Sequence, residues 1–206
     1  LWDKIDTDSL VQQARDLQTQ VKNMPKQIKA WALYRWLTDE VKNMATVLPL
    51  VNDLHGETMR DRHWNSIMAI TQKSFEKGPE FCFKDLLDLK LHEFAEDVSE
   101  VVDQSVKEAK IEKKLSAIRA TWSKMPVSFD CSNPDCPLLG ELGEVIEKLD
   151  SDSLEMMGMT SQGRFIEFCK PVVDEWSGKL RAIDGALGVW TKVQANWCRL
   201  EPIFMQ

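Results

Sequence analysis

The chain has 206 residues, 43% of them hydrophobic, a formal net charge of −7 and an isoelectric point near 5.1. That length and apolar content suffice to bury a real core in one long domain or two small ones, so the chain folds. An acidic chain with no basic stripe excludes an electrostatic nucleic-acid binder, and apolar runs of a few residues fall far below the ~20 that span a bilayer. No signal peptide is visible. Five cysteines, at 82, 131, 136, 169 and 198, form an odd, scattered set that fits a reducing, intracellular compartment. The chain opens on Leu1 without an initiator Met and stops at Phe204-Met205-Gln206 straight after an apolar run, which reads as an excerpt of something longer.

From Asp3 to Asn23, Leu10, Ala14, Leu17, Val21 and Met24 recur at steps of four and three, an amphipathic helix. Pro25 suits the first turn of a second helix carried onward by Ile28, Trp31, Leu33, Trp36, Leu37, Val41 and Met44, its aromatics expected in the core, and Pro49 is expected to end it. Leu48 to Thr58 reads as a turn with a short apolar anchor. The next helix is expected from an N-cap at Thr58 to about Thr71. It contains Met59 to Met68, MRDRHWNSIM, in which Trp64, Ile67 and Met68 make an apolar face opposite charged residues: a packing helix without a catalytic arrangement. Gly78-Pro79 breaks the chain, and Phe81, Phe83, Leu86, Leu87 and Leu89 form a compact apolar plug.

The longest uninterrupted stretch, about Leu91 to Lys124, predicts a helix of roughly 50 Å. Phe94, Val98, Val101 and Val102 mark one stripe and Ile111, Leu115, Ile118 and Trp122 another, rotated by roughly 80° at ~100° per residue. The helix should therefore change partners around Lys107 to Lys110. Met125 to Leu139, MPVSFDCSNPDCPLL, predicts a small β-hairpin. Helical spacing resumes through Val145, Ile146 and Leu149, with Met156, Met157 and Met159 continuing the apolar side. A last helix is expected from Gly163 or Pro171 to about Leu200, stopped by Glu201-Pro202. Its seam is Val173, Trp176, Leu180, Ile183, Leu187, Trp190, Gln194 and Trp197, broken only by Gln194, and Gly178, Gly185 and Gly188 leave room for a close neighbour. The fold class is mainly α, an elongated stack of helical bundles with long shared helices and one small hairpin. No solenoid repeat is evident.

Chemistry-bearing groups are sparse. Cys131-x4-Cys136 lacks the further ligands that tetrahedral zinc needs, so two free thiols at a hairpin tip are expected and no metal. His55, His63 and His92 are too far apart for an HExxH site, and His63 and His92 read as packing or surface residues. Neither GxxxxGK[ST] nor GxGxxG occurs, so the segment reads as non-enzymatic, with no catalytic or cofactor-binding residue. The aromatic residues Trp64, Trp122, Trp176, Trp190 and Trp197 are the expected structural anchors.

Several stretches, in order, resemble the linker region of dynein heavy chains: LPLVNDL with MRDRHW over 48–64, VKEAKIEKKL with the following TW over 106–122, and VQANWCRLEPIF over 193–204. VIEKLD over 145–150 and the segment from RFIEF to DEWSGKL keep the family's spacing. The resemblance covers roughly residues 40 to 206. It implies that residues 1–40 close the tail or neck and that 41–206 form the tail-proximal part of a helical lever. That lever lies across a ring of AAA+ modules and changes its bend or docking during the ATP cycle. ATP and Mg would then be bound elsewhere in the full-length chain. Implied partners are the AAA+ ring of the same heavy chain and, through the adjoining tail, neighbouring heavy chains or intermediate and light chains, with no nucleic acid or membrane. The CSNPDC turn looks closer to axonemal heavy chains, implying the cytoskeleton of a cilium or flagellum within the cytoplasm. From the residues alone, a cytoskeletal helical scaffold and an adaptor for amphipathic partner helices stay open.

Overall fold

The computed structural model describes residues 6–75, 81–131 and 136–204. The predicted break at Gly78-Pro79 and the centre of the CSNPDC turn lie outside the described residues. The chain divides into two compact units, up to Ala109 and from Lys110 onward, and the fold is mainly α with, among the described residues, one two-stranded hairpin.

In the first unit, helix α1 (Thr7–Lys22) starts where Asp6 accepts a hydrogen bond from Ser9 N–H at 3.1 Å. It buries Thr7, Ala14 and Val21, seven residues apart and hence on one face. It packs along α3 (Ala32–Leu54). Thr7 Oγ1 donates to Asn52 Oδ1 at 2.5 Å and the Tyr34 hydroxyl to Val21 O at 3.3 Å, which makes the pair antiparallel. The single helix expected from Pro25 is instead split: α2 (Lys26–Lys29) is one turn, and extended Trp31 precedes α3. The split reverses the chain so that α3 can run back along α1.

Pro49 does not end that helix. It lies inside α3, which continues through Leu54 because Leu48, Leu50, Val51 and Leu54 are all buried. Burial of about 1.5–3 kcal/mol per side chain outweighs the roughly 3 kcal/mol cost of an interior proline. The turn consequently falls after Leu54, and α4 (Asp61–Thr71) starts after Arg60, two residues later than a Thr58 cap would give. Thr58 Oγ1 is engaged with Ser105 Oγ at 2.9 Å instead. The aromatics expected in the core are also displaced, since Trp31 and Trp36 are each 59% exposed. Leu33, Trp36 and Met44 share the face of Val47, Val51 and Leu54, but the core of the unit covers only the last turns of that face.

That core joins Val47, Val51 and Leu54 to Met59, Trp64, Ile67, Phe81, Leu86, Leu89 and Leu91, with Val98 and Val101 from α6 (Ala95–Trp122). The apolar plug is in place: α5 (Phe83–Asp88) carries Leu86, and a 3-10 turn (Leu91–Phe94) leads into α6. Helix α6 exchanges one core for another where its stripe rotates, because Ile111, Leu115 and Ile118 belong to the second unit's core.

In that second unit, α7 (Gly143–Thr160) contributes Leu149, Met156 and Met159, while Cys169 and α8 (Lys170–Phe204), through Val173 and Leu180, complete the core. The buried stripe of α7 is Val145, Leu149, Asp152, Met156 and Met159. Ile146 and Met157, expected on it, sit one position off and are exposed, Met157 by 70%. Strands β1 (Phe129–Asp130) and β2 (Leu138–Leu139) pair antiparallel with Phe129 opposite Leu139, the predicted hairpin. Pro202 does not stop α8, which runs to Phe204. The carbonyl that loses its bond, that of Cys198, lies in an exposed turn where water can satisfy it. No described neighbour uses the space at Gly178, Gly185 or Gly188, where an added Cβ would meet nothing within 4 Å.

Candidate functional site

On the charged side of MRDRHW, Arg60 and Asp61 are exposed but His63 is buried. His63 and Glu108, 45 residues apart, are both buried, with Glu108 only 2% exposed. The N–H of Arg60, at the start of α4, donates to His63 Nδ1 at 3.0 Å. Nδ1 therefore carries no proton, and the ring's hydrogen resides on Nε2, which donates to Glu108 Oε2 at 3.0 Å. Arg62 Nε donates to the same oxygen at 2.5 Å, and Gln104 Nε2 to Glu108 Oε1 at 2.6 Å. One histidine thus caps α4 with one nitrogen and ties it to α6 with the other. A buried carboxylate with three donors meets the requirement that buried charge be paired and hydrogen-bonded. With all three donors engaged on Glu108, the cluster holds helices together and leaves no free base or nucleophile.

The second unit contains a lighter counterpart. Asp152 of α7, 1% exposed, accepts from the Trp122 indole N–H at 2.8 Å and from Lys148 Nζ at 2.7 Å, pinning the end of α6. Lys114 of α6 reaches Glu155 of α7 at 2.8 Å. Gln194, which interrupts the apolar seam of α8, has a defined task. Leu139 N–H donates to its Oε1 at 2.7 Å and its Nε2 donates to Leu139 O at 2.9 Å, so one side chain satisfies both backbone groups of Leu139 as a neighbouring strand would. Sequence reasoning placed Gln194 as a flaw in the seam. The signal that could have found its role is an amide at an otherwise apolar heptad position facing a short predicted hairpin.

The five tryptophans expected as anchors have unequal settings. Trp64 is buried edge-on against Phe75 and Phe81, at centroid distances of 5.9 and 6.1 Å. Trp122 and Trp176 are half-buried at the margin of the second core, the latter under Lys179 Nζ at 4.8 Å. Lys179 also bonds Glu175 at 2.6 Å, and that contact holds the Glu175 carboxyl below its usual range. Trp190 is 48% exposed and tilted against Phe129, and Trp197 is half-buried. Trp64 alone sits in the middle of a core. Cys131 and Cys136 are free thiols flanking the hairpin tip. Among the described residues no group of three or more His, Cys, Asp or Glu is placed to hold a metal ion, and no helix is long and apolar enough to cross a membrane.

Fold and junctions together define a helical structural segment whose buried polar chemistry joins helix to helix. The chain belongs to the family described as dynein heavy chain, N-terminal region 2, whose family model matches residues 1–206, including the first forty. It is similar to the dynein beta chain of the flagellar outer arm from Chlamydomonas reinhardtii, 35% identical over 99% of this chain and 4% of that protein. It is also similar to the ciliary dynein beta chain of Tripneustes gratilla, at 32% identity, and to dynein axonemal heavy chain 17 of Mus musculus, at 31%, each over 99% of this chain and 5% of the relative. The chain therefore spans about one twentieth of the length of these relatives.

Proposed function

We propose that this segment is a mechanical lever element of a dynein heavy chain, the tail-proximal part of the linker, with residues 1–40 closing the tail or neck. It would carry an ATP-driven change in a downstream AAA+ ring toward the tail for microtubule-based movement. The observation that carries this reading is α6: one 28-residue helix whose first half is fastened into one core through Val98, Val101 and Glu108 and whose second half enters another through Ile111, Leu115 and Ile118. A lever needs such a shared helix, held at each end by contacts that resist shear. The segment itself would carry no turnover, ATP and Mg being bound elsewhere in the heavy chain. Partners on this reading are the ring of the same chain and the neighbouring chains of the tail. The ciliary, flagellar and axonemal names of the relatives support a place in the axonemal cytoskeleton.

The test is Trp64→Ala in an intact heavy chain. Loss of this buried anchor should soften the lever, so that ATP hydrolysis continues while displacement per cycle falls in a single-motor assay. Unchanged displacement by a folded variant would contradict the lever reading.

A further inference from the structure

Helices α7 and α8 leave a groove of about 480 Å³ between them, within the second unit. Its floor is Met156 and Leu180, both nearly inaccessible to solvent; hydroxyls of Thr160 and Ser177 line it, and Met157 and Arg181 stand at its edge. No acidic residue lines the groove. Arg181 is exposed and makes no ion pair or hydrogen bond among the described residues. Beyond the groove the apolar surface continues along α7, where Leu154 is 71% exposed beside Met157. The structure thus combines an apolar slot, adaptable methionine walls and one cation without a partner.

We infer that this groove docks an amphipathic helix of a partner protein, which inserts a large aliphatic or aromatic side chain between α7 and α8 and sets an Asp or Glu one helical turn away against Arg181. A helix fits because the slot runs between two helices, so an occupant completes a three-helix packing with its i, i+3 and i+4 residues. Charge complementarity selects an acidic partner, since the only charge on the lining is Arg181. A small amphiphile would fill the slot yet leave the Leu154 and Met157 ridge bare. This site stands apart from the lever reading: it requires only the second unit to be folded and would survive failure of that reading.

The experiment is selection of a displayed random 16-residue helix library against the 206-residue chain, followed by fluorescence anisotropy with the enriched peptides. Enriched sequences should carry Leu, Met, Phe or Trp three or four positions from Asp or Glu. Arg181→Glu should weaken them by at least about tenfold and restore binding to peptides in which that carboxylate is replaced by Lys. Met157→Asp should also abolish binding. Both positions are exposed, and circular dichroism and the unfolding midpoint verify that the variants fold. Three results would overturn the inference: no enrichment, enriched peptides without acidic residues, or affinities indifferent to both substitutions. Dimerisation abolished by Met157→Asp in sedimentation velocity would also overturn it, assigning the groove to a second copy of the chain.

Discussion

The two halves of α6 are held by different physics. The half in the first unit is clamped by a buried carboxylate that needs three donors in defined places, His63, Arg62 and Gln104. The half in the second unit is held by an aliphatic stripe, Ile111, Leu115 and Ile118, with the Trp122 to Asp152 bond at its end. An apolar stripe tolerates repacking because its attraction is non-directional. A multiply bonded carboxylate does not, since any displacement strands a charge in a poorly solvating interior. Helix α6 therefore has one half fixed in register by directional bonds and the other held chiefly by packing, which accommodates changes of side-chain shape more readily.

Truncations at the clamped end should have the largest effects. Glu108→Ala removes a single carboxylate yet orphans the buried Nε2–H of His63, and should cost about 3–5 kcal/mol in urea unfolding. Trp64→Ala, which empties the space beside the stacked Phe75 and Phe81, should cost about the same. Gln194→Leu restores an uninterrupted apolar seam but leaves the Leu139 N–H and C=O without their amide. It should destabilise by about 1–3 kcal/mol and speed amide exchange at Leu139, although a helix-only reading of the seam predicts a gain. Leu115→Met, a volume-conserving change on the adjustable stripe, should cost under about 1.5 kcal/mol. A larger loss there would erase the contrast between the halves.

The smallest effect concerns Asp85. The Cys82 N–H donates to its Oδ2 at 2.8 Å, and that hydrogen bond holds the carboxyl below the usual aspartate range. Because the folded value is depressed, this support for the start of α5 is present above the ordinary aspartate range and is lost as pH falls through the folded value. An NMR titration should find the Asp85 midpoint below that of an aspartate in a peptide. A midpoint at or above it would remove the effect.

Much of the fold was legible because it is local. The two stripes of α6 and the rotation between them follow from helical period, and the handover falls within the predicted 107–110 window. Alternation and turn residues likewise gave the hairpin. What periodicity could not supply was direction across space. His63 read only as a packing or surface residue because its acceptor lies 45 residues away, and nothing local to Glu108 distinguishes it from other helix glutamates. Pro49 misled for the opposite reason: a local rule that favours a break lost to four buried side chains contributed by tertiary packing. Trp31 and Trp36 misled because aromatic content marks a face able to bury, whereas the extent of the core decides which turns of that face are covered.

The central claim, that His63 and Glu108 act as one clamp between α4 and α6, is tested most directly by a double-mutant cycle. The unfolding free energies of His63→Ala, Glu108→Ala and the double variant would be compared with that of the parent chain. The clamp predicts a coupling energy of about 1–3 kcal/mol, since the second substitution removes a partner already orphaned by the first. Additivity within about 0.5 kcal/mol would mean that the two residues contribute independently, and would contradict it.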